Sequence, residues 1–299
     1  MGNKHLLFVY GTLRKHCTNH HFLKGATLVA EQARTKGELY DTESGYPALR
    51  FNGHENVYGE LYEVDDILLA SIDMLEGYEQ WRDENLYERT ISSIRSDRGD
   101  YKAIVYYMSE KNDEMLRNKI DSGDWKRYEF ERNNTPYFYY FAFGSCMDME
   151  RMKIAEVDHL FSNVTGAGKL PNYEICYRIH RPDGGRADIS ETGKELEGIV
   201  YYLPYEALQY LYEREGVYTG MYRPIFVDIT IGEKQFINVL SFTVINKKNE
   251  LTPPDHYAIE ILRGAKGRVS KEYFAYLTQH MENLGVNVHQ LLKKIEVPS

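Results

Sequence analysis

The stretches Phe8-Val9-Tyr10-Gly11-Thr12-Leu13 and Phe141-Ala142-Phe143-Gly144-Ser145-Cys146 are one element written twice, an aromatic-rich apolar run that ends in a glycine turn carrying a hydroxyl. The register holds outward from it. Val57-Tyr58-Gly59-Glu60-Leu61-Tyr62 recurs as Leu196-Glu197-Gly198-Ile199-Val200-Tyr201, and 17 residues beyond each central glycine stands a Glu-Gly pair, Glu76-Gly77 and Glu215-Gly216. Gly45-Tyr46-Pro47-Ala48 lies 14 residues before Gly59, as Gly184-Gly185-Arg186-Ala187 lies 14 before Gly198. A fixed order of spaced matches marks an internal duplication. Beyond the Glu-Gly pairs the spacing breaks: Glu76 to Tyr87 is 11 residues and Glu215 to Tyr222 is 7. Loops tolerate insertion and elements do not, so Gly77 to Leu86 reads as a connection near the active face.

Two domains follow, residues 1–133 and 134–299, each long enough to bury its own core. Leu6 to Tyr10, Asn56 to Val64, Thr90 to Arg95 and Ala103 to Met108 read as strands from their β-branched and aromatic content. Tyr139 to Phe143, Leu196 to Leu203, Ile225 to Ile231 and Phe236 to Thr243 are their counterparts. Asp65 to Glu76 and Pro204 to Glu215 read as helices, opened by an N-cap Asp65 and a first-turn Pro204. Ser109 to Asn134 reads as the end of the first domain and a linker. Pro253 to Ser299 reads as a helical tail that the second half alone carries.

Composition removes several function classes. Lys+Arg number 36 against 45 Asp+Glu, a net charge of −9, so no basic face is available for a phosphate backbone and nucleic acid is excluded as a partner. No segment is apolar over a membrane-spanning length, and the short run Leu6 to Tyr10 is no signal peptide. Met1-Gly2 would open a myristoylation signal, but Leu6 stands where Ser or Thr is needed. Three cysteines, Cys17, Cys146 and Cys176, make neither a disulfide framework nor a zinc pair, which places the chain in a reducing cytoplasm. His16, Cys17, His20 and His21 match no standard zinc spacing, and Asn19-His20 reads as pocket lining or a helix cap. Arg14 reads either as a partner for a substrate carboxylate or as an ordinary exposed arginine.

The glutamates carry the chemistry. Leu69, Ile72 and Glu76 fall at i, i+3 and i+7 of the first helix, and Leu208, Leu211 and Glu215 repeat this on the second, so each carboxylate lies on the apolar stripe. Each also stands at the helix end before a glycine suited to the C′ position, where the carbonyl dipoles are partly negative. Burial and dipole both disfavour the anion and raise the carboxyl toward the range useful to a general acid or base. An isolated Glu there would read as a solvated helix terminus; recurrence at identical spacing reverses that preference. The glycine turns, Tyr10 to Leu13 and Phe143 to Cys146, can aim backbone N–H groups and a hydroxyl at a carboxylate guest. Tyr87 and Tyr222 follow the Glu-Gly loops as further candidate pocket residues.

Val9-Tyr10-Gly11-Thr12-Leu13-Arg14, Asn19-His20, Gly45-Tyr46-Pro47-Ala48, Gly59-Glu60-Leu61-Tyr62 and Leu75-Glu76-Gly77-Tyr78 closely resemble the gamma-glutamylcyclotransferase-like family in its gamma-glutamylamine branch. Tyr140 to Ser145, Glu213-Arg214-Glu215-Gly216-Val217, Gly220-Met221-Tyr222 and Gly264-Ala265-Lys266 resemble its gamma-glutamyl amino acid branch. The resemblance implies an α+β fold with a small mixed β-barrel and flanking helices in each half. It implies Glu76 and Glu215 as the catalytic carboxylates and the two glycine loops as holders of a glutamyl α-carboxylate. The implied reaction closes the substrate's own amine on its γ-carbonyl, giving 5-oxoproline and a free amine, with no metal and no cofactor.

The second copy departs at Phe143, where the family has Tyr, and at Cys146, where that branch has Asn. Cys146 reads as an inert, partly buried thiol, the alternative being a nucleophile. Two other function classes stay open at this point, a module that binds gamma-glutamyl metabolites and a hydrolase that releases glutamate. The leaving amine and the oligomeric state are not legible.

Overall fold

A computed structural model describes residues 3–296 and divides into two compact units after Asn133. Met1 and Gly2, on which the myristoylation reading falls, and residues 297–299 lie outside the described residues.

The first unit runs β1 (Lys4–Val9), β2 (Thr27–Lys36), β3 (Glu38–Asp41), β4 (Pro47–Arg50), β5 (Asn56–Asp65), α1 (Asp66–Leu75), β6 (Tyr87–Ser96), β7 (Gly99–Met108), β8 (Asn118–Lys119) and α2 (Trp125–Asn133). Strands β1-β5-β2-β6-β7 close into a barrel, with β1 and β7 the parallel pair, and β4-β3-β8 form a small second sheet. Closure leaves the five strands without a free edge. β1 is apolar at consecutive positions because both of its sides are covered: Leu7 and Val9 join Leu69 and Ile72 of α1, while Phe8 joins Leu61, Val105 and Trp125.

The second unit repeats the barrel. It runs β9 (Tyr137–Ala142), α3 (Met149–Ile154), β10 (Val164–Arg181), β11 (Gly184–Pro204), α4 (Ala207–Arg214), β12 (Tyr222–Ile231) and β13 (Lys234–Val244), then α5 (Asp255–Ala265), α6 (Lys271–Asn283) and α7 (Val288–Glu296). Its closed order β10-β11-β9-β13-β12, with β9 and β13 parallel, is the first barrel's order with each strand replaced by its counterpart. The duplicated glycines have the same task in both. A Cβ on Gly59 would lie 2.2 Å from Val9 O, and one on Gly198 2.3 Å from Ala142 O, so only glycine lets the central strands meet at this register.

Two expectations need correction, and the strand β2 was not foreseen. The helix start placed at Pro204 is a strand end; α4 begins at Ala207, because Pro204 still pairs with Tyr137 of β9. The stretch read as the end of the first domain and a linker is the former as far as Asn133: Trp125 is buried and stacks on Tyr128, and Ile120 N donates to Leu39 O. β2 was invisible because Glu31, Gln32 and Lys36 are residues depleted from strands; pairing with β5 overrides that preference.

Candidate active sites

In the first unit the chain leaves β1 at Val9 and turns through Tyr10–Leu13 across the barrel mouth. Arg14 N donates to Gly11 O (3.0 Å) and Asn19 N to Thr12 O (2.9 Å), while the N–H groups of Thr12 and Leu13 meet no acceptor among the described residues. Asn19 Nδ2 donates to Thr12 Oγ1 (3.0 Å) and the His20 Nδ1 lies 3.0 Å from Leu13 O, so both brace the turn. Arg14 is not the exposed arginine of the sequence reading: its guanidinium is buried on Asp124 (2.7 Å) and Glu60 (3.3 Å).

α1 aims Glu76 at this turn. Asp65 caps the helix start by accepting from Leu68 N (2.9 Å), and Gly77 at φ 64° ends it, leaving Glu76 as the C-cap residue. Tyr10, Gly11, Thr12, Leu13, Glu76 and Tyr87 all line one cavity of ≈190 Å³, together with Asn19, Tyr46 and Pro47. No hydrogen-bond donor among the described residues reaches the Glu76 carboxylate, and burial pushes it up to about 7. Arg89 is engaged elsewhere, its Nη1 donating to both carboxylate oxygens of Asp73 at 2.8 and 2.6 Å. Tyr87 donates to Pro47 O (2.8 Å) and Tyr10 to Tyr106 O (2.9 Å), so these hydroxyls fix the cavity wall.

The second unit brings together Phe143, Gly144, Ser145, Cys146, Glu215 and Tyr222 around a cavity of ≈350 Å³. Ser145–Met147 form a short 3₁₀ turn whose first N–H groups lack intrahelical partners. Gly216 at φ 62° repeats the helix end of Gly77 and leaves Glu215 as the C-cap. Burial raises the Glu215 carboxyl, opposed by the Arg214 guanidinium and by the Cys146 thiol, whose Sγ lies 3.5 Å from Glu215 Oε1. Burial also raises Cys146 itself, so it stands as a thiol. Arg151, Arg181, Arg186 and Arg214 line this cavity, whereas among the described residues no Lys, Arg or His lines the first.

Sequence reasoning missed the arginines and Tyr257. Arg214 adjoins Glu215 and could have been weighed; Tyr257 lies in the unduplicated tail, where comparison of the halves gives no signal. His16, Cys17, His20 and His21 do not assemble, and among the described residues no group of three or more His, Cys, Asp or Glu could hold a metal.

Two barrels of one topology, each with a helix delivering a glutamate to a glycine turn, define one family twice over. The chain belongs to the gamma-glutamylcyclotransferase family. The profile described as "Gamma-glutamyl cyclotransferase, AIG2-like" matches residues 7–127 and that described as "AIG2-like family" matches residues 195–277. The YkqA protein of Bacillus subtilis is 42% identical over 282 residues, covering 93% of this chain and 98% of that protein. Its crystal structure aligns with a TM-score of 0.86 at 41% identity, covering 94% of this chain and 99% of that one. The gamma-L-glutamyl-butirosin B gamma-glutamyl cyclotransferase of Niallia circulans is 37% identical over 126 residues, 42% of this chain and 78% of that enzyme. Bovine gamma-glutamylcyclotransferase is 30% identical over 136 residues, 43% of this chain and 70% of that enzyme. Among the described residues no helix is long and apolar enough to cross a membrane.

Proposed function

We propose that the chain is a tandem gamma-glutamyl cyclotransferase with one site per barrel, Glu76 and Glu215 serving as general acid and base. The glycine turns, Gly11–Leu13 and Gly144–Cys146, hold the α-carboxylate of a gamma-glutamyl substrate through backbone N–H groups. The glutamate takes a proton from the α-ammonium, and the freed amine attacks the γ-carbonyl carbon. As that C–N bond forms, the bond to the leaving amine breaks; the glutamate returns its proton to the departing nitrogen and then carries across the second proton that the ring nitrogen sheds, so the amine leaves as an ammonium and the glutamate is restored. The products are 5-oxoproline and a free amine; no solvent oxygen enters. Holding nucleophile and carbonyl together supplies proximity, for which effective molarities reach about 10^5 M or more.

The observation that carries this reading is Glu76: a buried carboxyl lining the same cavity as the turn, without a hydrogen-bond donor among the described residues, and raised to about 7 where a base can both accept and return a proton. All three cysteines are unpaired, which supports a reducing compartment.

The test is turnover of gamma-glutamyl amino acids, gamma-glutamyl-lysine isopeptides and small gamma-glutamylamines in heavy-oxygen water. Unlabelled 5-oxoproline is expected, and labelled glutamate as the main product would overturn the mechanism. Glu76→Gln removes one set of substrates and Glu215→Gln the other, each by about a hundredfold or more, a size expected for a general base. If Glu76→Gln alone removes every activity, the second barrel is not a catalytic site.

A further inference from the structure

We propose that the second site selects gamma-glutamyl substrates whose leaving amine is an acidic amino acid, a guest with two carboxylates, and that Arg181 and Arg151 at the cavity rim make the selection. The proposal rests on the cyclotransferase reading of that site and adds to it the chemistry of the group that departs.

Four guanidinium groups line the Glu215 cavity, against two carboxylates, Glu215 itself and Glu260. The four are not equally engaged. Arg186 is saturated: it donates to both oxygens of Asp183 (3.0 and 2.8 Å), and its guanidinium carbon lies 4.9 Å from the Tyr257 ring centroid. Arg214 serves the glutamyl end, donating to Ser145 Oγ (2.7 Å) and to the Cys146 sulfur (3.2 Å). Arg181 donates to Met221 Sδ (2.8 Å), a weak acceptor, and pairs with no carboxylate among the described residues. Arg151 has Glu260 at 3.6 Å from its Nε, too far for a hydrogen bond, and makes no other ion pair among the described residues. Two cations of the cavity are therefore open.

Their position assigns them to the leaving amine. The Ser145–Met147 turn is buried, whereas Arg181 is exposed near the end of β10, two residues beyond Ile179 on the same strand face. Ile179 and Arg181 both line the cavity. A substrate whose α-carboxylate lies on the turn runs outward from it, so the departing group lies toward the rim.

Charge balance then fixes the class. A gamma-glutamyl end brings no net charge, because its α-ammonium balances its α-carboxylate. The leaving amine has to answer the open cations. A neutral amino acid brings one carboxylate; an acidic one brings two, one for each open guanidinium, and such pairs are among the stronger polar contacts. The first cavity is the contrast, since no Lys, Arg or His lines it among the described residues.

The test uses the full chain carrying Glu76→Gln, so that the first site is silent in turnover, and two substrates that differ only in one charge, gamma-glutamyl-glutamate and gamma-glutamyl-glutamine. Release of 5-oxoproline is expected to favour the glutamate compound about 10- to 100-fold in kcat/KM, the size of a hydrogen bond to a charged group. The difference should lie in KM with kcat held, because the contact is remote from the bonds that change and is made equally in the ground and transition states. In the Arg151→Gln/Arg181→Gln chain the preference should fall to within about twofold, with gamma-glutamyl-glutamine still turned over as the check on folding. A preference under about twofold in the parent, or one that survives the double substitution, overturns the proposal. The same preference in a Glu215→Gln chain, where the first site alone works, also overturns it, because that cavity lacks the arginines. If the Glu76→Gln chain shows the preference in calorimetric binding but makes no 5-oxoproline from either compound, the cyclotransferase reading of this site fails while the charge selection stands.

Discussion

Arg214 donates from Nε to the Cys146 sulfur at 3.2 Å and from Nη2 to Ser145 Oγ at 2.7 Å, which places a permanent cation between the glycine turn and Glu215. The first unit has Leu75 at this position, beside a Glu76 raised to about 7 by burial alone. In the second unit the cation works against burial. Removing it leaves burial opposed by the Cys146 thiol but no longer by a cation, so Arg214→Gln should raise the Glu215 carboxyl further. A general base acts deprotonated, so the rising acidic limb of kcat/KM moves to higher pH, by about one unit or more for an opposite charge at this range. Rate profiles from pH 4 to 9 in a Glu76→Gln chain check this; an unmoved limb would mean that Glu215 is not the titrating group.

Glu76 carries a stability cost that its proposed role explains. Its folded value of about 7 lies above the usual unfolded value near 4.3, so the folded state binds this proton more tightly. That contribution is full below the unfolded value and is lost as pH rises through about 7. Glu76→Gln should therefore leave stability unchanged near pH 4 and raise it at pH 8 by about 1 to 3 kcal/mol. Denaturant midpoints of the first unit at the two pH values measure it. A variant less stable at pH 8 would show that the ionised carboxylate has a favourable partner.

The barrels and their candidate sites were legible wherever the duplication wrote the same constraint twice. Gly59 and Gly198 face equivalent carbonyls, and Gly77 and Gly216 end equivalent helices at φ 64° and 62°. Repetition separated these from glycines that only punctuate loops. What stayed hidden was written once or fixed by distant partners. Arg14 read as a substrate partner or as an exposed arginine because its partners, Glu60 and Asp124, lie 46 and 110 residues away. Asp124 and Trp125 read as linker because a charged stretch hides a buried ion pair as readily as a solvated one. Tyr257 had no twin, and the hydroxyl that reaches Ala187 belongs to a tail whose sequence shows only helical periodicity.

That buried cluster sets a second stability prediction. Arg14 is 4% exposed, Asp124 2% and Glu60 0%, and Lys126 Nζ lies 3.2 Å from Glu60. Asp124 also accepts from Lys126 N (3.0 Å) at the start of α2. Breaking one partner of a buried network leaves a charge uncompensated, which costs about 3 to 5 kcal/mol. Asp124→Ala should lower the Tm of the first unit accordingly and raise KM for its substrates, since Arg14 directly follows the Gly11–Leu13 turn. Second-site substrates should be unaffected. Asp124→Asn, which keeps the helix-start hydrogen bond, should lose less; equal losses would assign the effect to the cap rather than to the charge.

Gly264 decides whether α5 can reach the second site. A Cβ there would lie 2.7 Å from the Met147 carbonyl carbon and 2.8 Å from Asp148 N, backbone atoms that cannot rotate aside. Alanine favours a helix over glycine by about 1 kcal/mol, so propensity alone would make Gly264→Ala stabilising. Overpacking against a fixed backbone costs about 1 to 3 kcal/mol and opposes it. The clash should win, because Arg263 and Arg268 pull the helix onto the same segment and leave it nowhere to retreat. The expected result is a second unit slightly destabilised, by about 1 kcal/mol net, with its turnover reduced far more than its stability. Displacing α5 carries Tyr257 off Ala187 and Gly144, so the KM for second-site substrates should rise while first-site turnover stays at the parent rate. An active Gly264→Ala chain with unchanged KM would show that the tail can shift without disturbing the turn, and α5 would then be packing alone.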